Sequence, residues 1–523
     1  MRKTLLTLVA LMAAVSMSAQ AEISYAWQKT LETVGSADNL GTICTTVAPD
    51  GSVYVSGTYD KDITFAGKTY ANDGLASSYV AKYNKAGEEQ WLATFFGACV
   101  ITAMTTDDEG RLYVAGIAKD EFITITGTDG YANTDVKNPM VDSWGDMVIG
   151  SYSAFVTRFR PDGGLTTVRP ITTATNAEVA ASDFPFYLAD EEPIAITPKQ
   201  IKVVGDKVYV AVFYKGDIEE LDWKGAYVCN FDFGMYMDNQ SAGIFTLDKQ
   251  FAYNLAPVAN IQATGSISDA QHYPEAINFD VVDGKVYLGF FGFGNLTLST
   301  PQKHIDFQFQ ASDDESGNME HPFVLATIEA DGGFNPLPFT YHSPMHSQIA
   351  APYNIANMTA DGDNILIGGT FSGQLPFDEA KQAPAGSSDV FLASTKKAEE
   401  GVNWAWTSGV ESKAVFAAVD RGAYGLATGE KIYYVNKDDG KALSDGVVNY
   451  KMVAAAANGG FAAFIRTEGA KTIIEFGDNT ETAVQSIKAA DGGKKKVFNL
   501  QGQQLAAPQK GLNISDGKIF IGK

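Results

Sequence analysis

Aromatic rings set among carboxylates occur in two stretches of this 523-residue sequence. Tyr131, Trp144 and Tyr152 stand among Asp135, Asp142 and Asp146, while Trp223, Tyr227, Phe231, Phe233 and Tyr236 stand among Asp222, Asp232 and Asp238. A flat aromatic face stacks on a sugar ring, a nearby carboxylate accepts hydroxyl hydrogen bonds, and the same rings are enriched where proteins meet. Tyr131, Trp144, Tyr152, Trp223, Tyr227 and Tyr236 are therefore the ligand-contact candidates. The phenylalanines read instead as the small apolar core that a loop of such length needs to stay folded.

Other chemistries are weakly supplied. Asp313, Glu315 and Glu320 offer oxygen ligands of the kind calcium takes, but without the ligand spacing of an EF-hand loop, so no cofactor is assigned. The histidines at 272, 304, 321, 342 and 346 form no His-Glu-x-x-His cluster, and Pro344 breaks the helix that would align His342 with His346. No Gly-x-Ser-x-Gly elbow or phosphate-cradling glycine loop is present. Three cysteines, Cys44, Cys99 and Cys229, are too few for a disulfide framework and read as small buried apolar groups. No residue is assigned a catalytic role. The enzymatic alternative is a polysaccharide lyase or hydrolase, which would need two carboxylates converging on one pocket.

The elements that must position these residues announce themselves by repetition. Val53-Tyr54-Val55-Ser56-Gly57, Leu112-Tyr113-Val114-Ala115-Gly116, Val208-Tyr209-Val210-Ala211-Val212, Val286-Tyr287-Leu288-Gly289-Phe290 and Ile365-Leu366-Ile367-Gly368-Gly369 each follow an acidic or glycine turn, such as Asp50-Gly51 or Asp283-Gly284. Such turns between apolar runs are hairpins, so the phrase is the second strand of each unit. A polar or glycine position followed by alternating apolar residues comes next, as in Asp62-Ile63-Thr64-Phe65 and Gly373-Gln374-Leu375-Pro376-Phe377; it extends or follows the second strand. A third strand, as in Ser78-Tyr79-Val80-Ala81-Lys82-Tyr83, and a fourth carrying tryptophan in two copies, near Trp91 and near Trp404 and Trp406, complete the unit.

Four antiparallel strands in stacked repeats make a propeller blade, since one such unit cannot bury its own apolar surface. Two degenerate copies follow residue 415, and Tyr25-Ala26-Trp27-Gln28-Lys29-Thr30-Leu31 reads like a displaced fourth strand that closes the last blade and removes its free edge. The expected fold is all-β, a seven-bladed propeller with six blades as the alternative, closed by the N-terminal strand and followed by a small C-terminal β module. The tyrosines of the repeated phrase are expected to pack between blades. Long connections between second and third strands, at Gly127 to Ser153, Leu221 to Ser241 and Thr300 to His321, place the working face on that rim.

Compartment and charge narrow the partners. Arg2-Lys3, an apolar run from Leu5 to Val15 and Ala19-Gln20-Ala21 form a signal peptide over residues 1–21, and no later run is long and apolar enough to span a bilayer. The propeller region, 22–485, holds 30 basic and 60 acidic residues, a net charge of −30, whereas residues 486–523 hold seven lysines and two aspartates, a net of +5. An acidic body repels nucleic acid and anionic membrane surfaces.

Blade one, from Asp50-Gly51-Ser52-Val53-Tyr54-Val55-Ser56-Gly57 through Tyr79-Val80-Ala81-Lys82-Tyr83-Asn84 to Trp91, resembles the bacterial SBBP-type seven-bladed β-propeller repeat. Blade two follows the pattern closely, and blades three to five more loosely. The resemblance implies an extracytoplasmic propeller and carries no active site. Val497-Phe498-Asn499-Leu500-Gln501-Gly502-Gln503, Lys510-Gly511-Leu512-Asn513-Ile514 and Gly517-Lys518 are similar to the C-terminal sorting tails of secreted Bacteroidetes proteins, with Asn513 where tyrosine is usual. That resemblance implies type IX export machinery as a partner. Asn436-Lys437-Asp438-Asp439-Gly440-Lys441 is similar to a blade turn of quinone-cofactor dehydrogenases, in one copy and without the tryptophan that follows there. The reading that emerges is a secreted or surface-displayed, non-catalytic binding protein for a protein or glycan, with the enzyme and a structural envelope protein as alternatives.

Overall fold

The computed structural model describes residues 26–32, 43–72, 77–120, 122–133, 136, 153–173, 195–224, 229–230, 235–236, 240–263, 273–309, 319–342, 346–347, 353–411, 414–417, 423–428, 431–447, 452–458, 461–469, 471–478, 497–498, 504–505, 511–515 and 518–522. The leader, Trp144, Tyr152, Tyr227, Asp313 and Glu315 lie outside these residues.

The protein is an all-β propeller. Its first blade holds Thr45–Val47, Val53–Tyr59, Ser77–Tyr83 and Glu89–Phe96, hydrogen-bonded in that order. The second runs from Cys99–Thr106 to Leu165–Ile171, the third from Ala195–Val204 to Ala256–Ala263 and the fourth from Tyr273–Val282 to Phe339–Tyr341. The fifth runs from Tyr353–Asp361 to Val402–Glu411 and the sixth from Ala414–Ala417 to Ala442–Val447. A seventh sheet takes Met452–Asn458, Phe461–Glu468 and Lys471–Asp478, and its outer strand is Trp27–Glu32, so the two ends of the ring close on one blade. Innermost strands of successive sheets touch all round the ring, the seventh against the first. The C-terminal residues Val497–Phe498, Gln504–Leu505, Gly511–Ser515 and Lys518–Gly522 form a four-stranded sheet of their own.

The repeated phrase builds the core by alternation. Successive side chains of a strand point to opposite faces, and both faces of a blade are covered by neighbours. Val53 and Val55 thus join Ile465, Ile474 and Phe476 of the seventh blade, while Tyr54 joins Val114 and Phe159 of the second. Tyr113 and Tyr209 occupy the equivalent gaps farther round. The hairpin turns before the phrase hold Gly51, Gly110, Gly205, Gly284 and Gly362 at positive φ, which an L side chain strains to adopt.

Two devices join neighbouring blades on the face formed by the hairpin turns. In the first, a fourth-strand tryptophan donates its indole N–H to a carbonyl in the last hairpin of the following blade: Trp27 to Lys85, Trp91 to Pro161 and Trp404 to Lys437, at 2.9, 3.0 and 3.2 Å. The ring lies on the turn glycine, where a Cβ on Gly87, Gly163 or Gly440 would come within 2.8, 2.7 or 2.6 Å of it. The Asn436 to Lys441 turn therefore does seat a tryptophan, but one supplied by the previous blade. In the second device a lysine near the last hairpin reaches back to the first hairpin of the preceding blade, as in Lys249 to Asp107 at 3.7 Å and Lys437 to Asp361 at 3.0 Å.

Asp107 is the most heavily used of these carboxylates. It is buried and accepts from the Arg111 guanidinium at 2.7 Å, from the backbone of Glu109 and Arg111 and from the Tyr113 hydroxyl. Burial works to raise its pKa, but the hydrogen bonds and charge of Arg111, with Lys249, outweigh it and hold Asp107 below the usual carboxylate value. A depressed native pKa gives stability that is present above the unfolded value and lost as pH falls through the native one. Asp107→Ala is expected to remove about 3 kcal/mol at pH 7, because two cations lose a buried partner. Urea unfolding at pH 7 and at pH 3 checks this, with a smaller gap between variant and native protein at the lower pH.

Candidate functional site

The residues after the second strand do not stay on the rim where they emerge. In blade two they form the hairpin Thr124–Thr126 and Ala132–Asn133, which pairs with the outer strand of blade one. In blade four Asn295–Ser299 and His304–Gln308 pair in the same way with the outer strand of blade three. Each hairpin runs down the outside and ends at its own blade's last turn: Thr128 donates to Gly163 and Asp162 carbonyls, and Thr300 donates to the Gly332 carbonyl at 2.6 Å. The apolar alternation after Gly294, read from sequence as extending or following the second strand, follows it and forms a clasp across the preceding blade, with Leu296 and Leu298 as buried teeth, as Ile125 is in blade two.

This relocates two ligand-contact candidates. Trp223 is 5% exposed, stacks on Tyr214 at 5.5 Å between ring centroids and meets Phe245 edge-on, so it is part of the core between the second and third blades and not a rim residue. Tyr131 is 52% exposed, but the clasp carries it to the opposite face, where its turn is tied to Arg160 and Gly163 through Asp129 and Thr128. Tyr236 lies in a two-residue strand paired with Cys229–Asn230, and Glu320 in one paired with His346–Ser347. Among the described residues no three of His, Cys, Asp and Glu gather as a metal site. Cys44 and Cys99 are unbridged, and burial pushes their thiols up to about 12 and about 11.

With Tyr131 go two further exposed apolar side chains. Tyr253, 75% exposed, sits in the last hairpin of the third blade, and Leu337, 70% exposed, follows the corresponding turn of the fourth. Three consecutive blades thus each present one large apolar group at the perimeter of the hairpin face. Asp162, Asp248, Glu329 and Asp331 lie in the same turns.

A second constellation lines the ring axis. Register shifts interrupt the innermost strands at Ile101/Ala103, Pro198/Gln200, Pro274/Ala276, Ile355/Asn357 and Met452/Ala454, leaving one extra residue in each. Such bulges re-aim a side chain and recur beside working sites. The extra residue is Thr102 in the second blade and Glu275 in the fourth, Lys199 in the third, where it is exposed and stands over the Phe213 ring at 5.3 Å, and Ala356 and Val453 in the fifth and seventh, also exposed. Below them Asp280, buried, accepts from Lys202 of the third blade and from the Ala360 backbone of the fifth at 2.8 Å, so one carboxylate ties three blades together. Burial lowers Lys202 to about 8. Burial also lowers Lys199.

The sequence matches no protein-family model and no curated protein. Among solved structures it is similar to the quinohemoprotein alcohol dehydrogenase of Comamonas testosteroni, with 10% identity, 91% of this chain and 78% of that one covered and a TM-score of 0.43. It is also similar to BamB of Moraxella catarrhalis, with 11% identity, coverage of 86% and 97% and a TM-score of 0.34, and to Saccharomyces cerevisiae Sqt1, with 9% identity, coverage of 88% and 100% and a TM-score of 0.39. Likenesses this distant say nothing about chemistry, and the propeller rests on the strand pairing itself.

Proposed function

We propose that this protein is a non-catalytic binding module working outside the cytoplasm, and that it holds a protein partner on the hairpin-face perimeter of its second, third and fourth blades. The carrying observation is the exposure of Tyr131, Tyr253 and Leu337 on three consecutive blades of a rigid ring. Large apolar groups at fixed spacing on a scaffold that is otherwise acidic suit a partner with apolar anchors and basic flanks. Leu337 favours protein over glycan, because a branched aliphatic side chain offers no flat face for a sugar ring. The leader motif and the +5 tail support export, with the sorting-type tail directing the chain to the cell surface.

Surface-accessible cross-linking in the native cell, followed by titration of the captured protein, tests the reading. Tyr131→Ser, Tyr253→Ser and Leu337→Ser together are expected to weaken that affinity by about thirtyfold, as loss of interface anchors does. Each should move stability by no more than about 0.5 kcal/mol. Unchanged affinity in the triple variant would overturn the placement.

A further inference from the structure

The perimeter of the hairpin face has a polar neighbour on the next blade round. Asp363, Asn364, Lys396, Ala398, Glu399 and Asn403 line an open cleft of about 290 Å³ between the first and last hairpins of the fifth blade. Its two walls are tied together, because Asn364 pairs with Lys396 and the Lys397 backbone N–H donates to the Asp363 carbonyl at 3.0 Å. The fourth blade adjoins it, with the Tyr341 hydroxyl donating to the Gly401 carbonyl of that last hairpin at 3.3 Å. The cleft thus follows Tyr131, Tyr253 and Leu337 on a fourth consecutive blade of the same face.

Acceptors are in surplus there. Asn403 donates its amide N–H groups to the Asn364 side-chain carbonyl at 2.8 Å and to the Ser394 hydroxyl at 3.1 Å, which leaves its own carbonyl oxygen without a donor among the described residues. The Asp363 carboxylate is exposed, and no described residue ion-pairs with it. Cations nearby are engaged elsewhere: Lys396 pairs with Glu399 and Lys437 with Asp361. Lys397 stands over the Tyr287 ring at 4.6 Å, where the charges of Asp283, Asp361 and Asp363 all act on it.

We propose that this cleft seats an arginine side chain of the protein partner, its guanidinium between Asp363 and the Asn403 carbonyl and its stem against Ala398. Two carboxylates and one ammonium line the cleft, so its charge favours a cation. A guanidinium carries five donors in a planar fork and no acceptor, and so serves a carboxylate and an amide carbonyl at once, where an ammonium acts as a point charge. The volume stands at the lower end of ligand pockets and suits a side chain rather than a cofactor. Lys396 and Glu399 are both exposed, and such a pair contributes little, so an incoming arginine can also draw Glu399 away from it. That a protein supplies the arginine rests on the perimeter reading; the cleft itself does not.

Saturation-transfer NMR of the full chain with N-acetylarginine amide tests the cleft without the partner. This probe is expected to bind at about millimolar strength, N-acetyllysine amide at least about threefold more weakly, and N-acetylnorleucine amide without saturation. Asp363→Asn should weaken the arginine probe by about fivefold, whereas Lys396→Met should tighten it by about threefold through release of Glu399. No saturable arginine signal, lysine or norleucine amide bound as tightly as arginine amide, or unchanged affinity in Asp363→Asn would each overturn the assignment. Unchanged or weaker binding in Lys396→Met would overturn it as well. Serine at Tyr131, Tyr253 and Leu337 should leave the arginine probe unaffected, so a failed perimeter is read separately from a failed cleft. Asp363→Asn should also weaken the captured protein by about fivefold. Loss of the probe with the captured protein held as before would overturn that protein as the source of the arginine.

Discussion

Trp223→Ala is expected to lower stability by about 3–5 kcal/mol, the range found when a large aromatic is emptied from a packed core. The indole is enclosed by Tyr214, Phe245 and the buried strand around Gly243, and a Cβ on Gly243 would run directly into its six-membered ring. Ile218, Leu221 and Trp223 are the third blade's short counterpart of the clasps, and all three are buried against the second blade. Emptying the indole position therefore loosens one inter-blade boundary as well as one side-chain contact. Urea unfolding measures the effect: the midpoint should fall with the slope unchanged, since the folded ring and the exposed chain both keep their extent. Gly243→Ala supplies a second reading, because it should destabilise the native protein by more than it does beside Trp223→Ala, where only the Ala259 carbonyl, 2.9 Å away, still opposes the added Cβ. A coupling of about 1 kcal/mol or more between the two is expected from groups that share one space. Additive effects, or a Trp223→Ala variant as stable as the native protein, would show the ring to be peripheral after all.

The contrast between Trp223 and Tyr131 shows how far a sequence of this kind can be read. Repeated strands are legible because both faces of a blade are buried and the same phrase must recur to fill the same gap, which is why Tyr54, Tyr113 and Tyr209 stand where their spacing put them. The fourth blade's clasp was visible as an apolar alternation after Gly294, but its partner is a strand of the preceding blade, well earlier in the chain. Direction therefore could not be read from the local pattern. An aromatic beside an aspartate looks alike whether a connection stays on its rim or folds down the flank, and only the pairing of Thr124–Thr126 with Thr94, Phe95 and Phe96 decides it for Tyr131.

The axial bulges were less legible still, because an extra residue is defined only by counting against the partner strand. One sign was present. Pro198 and Pro274 each interrupt an otherwise strand-like run immediately before the extra residue, and proline inside a strand marks an edge or a bulge. Lys199 could have been singled out on that ground. The carboxylates of Asp107, Asp280 and Asp361 are engaged by lysines or backbone of neighbouring blades. Their acidity serves the ring by tying neighbouring blades together.

Removing residues 22–32 is expected to destabilise the ring by on the order of 5 kcal/mol and to promote self-association beyond that of the native chain. The strand Trp27–Glu32 pairs with Lys471 to Phe476 over six residues, and Leu31 is buried beneath it. Trp27 stacks on Phe476 at 5.0 Å and is the only link of its kind between the seventh and first blades among the described residues, through its indole N–H to Lys85. Burial of one tryptophan and one leucine is worth about 1.5–3 kcal/mol each, and the ladder bonds add about 1 kcal/mol apiece before the entropy of ordering the strand is subtracted. Without the strand, Lys471–Asp478 becomes a free edge of eight residues carrying Ile473, Ile474 and Phe476, the template that edge-to-edge association requires. Size-exclusion chromatography and thermal unfolding of the truncated chain read both effects. A synthetic peptide spanning residues 22–33, added in excess, should restore the native elution volume and raise the melting temperature with peptide concentration, because it binds the folded ring and not the unfolded chain. The same peptide with Trp27→Ala should need a concentration at least about tenfold higher. A truncated chain with the native elution volume and melting temperature would mean that the ring closes by blade packing alone, and that the N-terminal strand merely covers an edge already harmless.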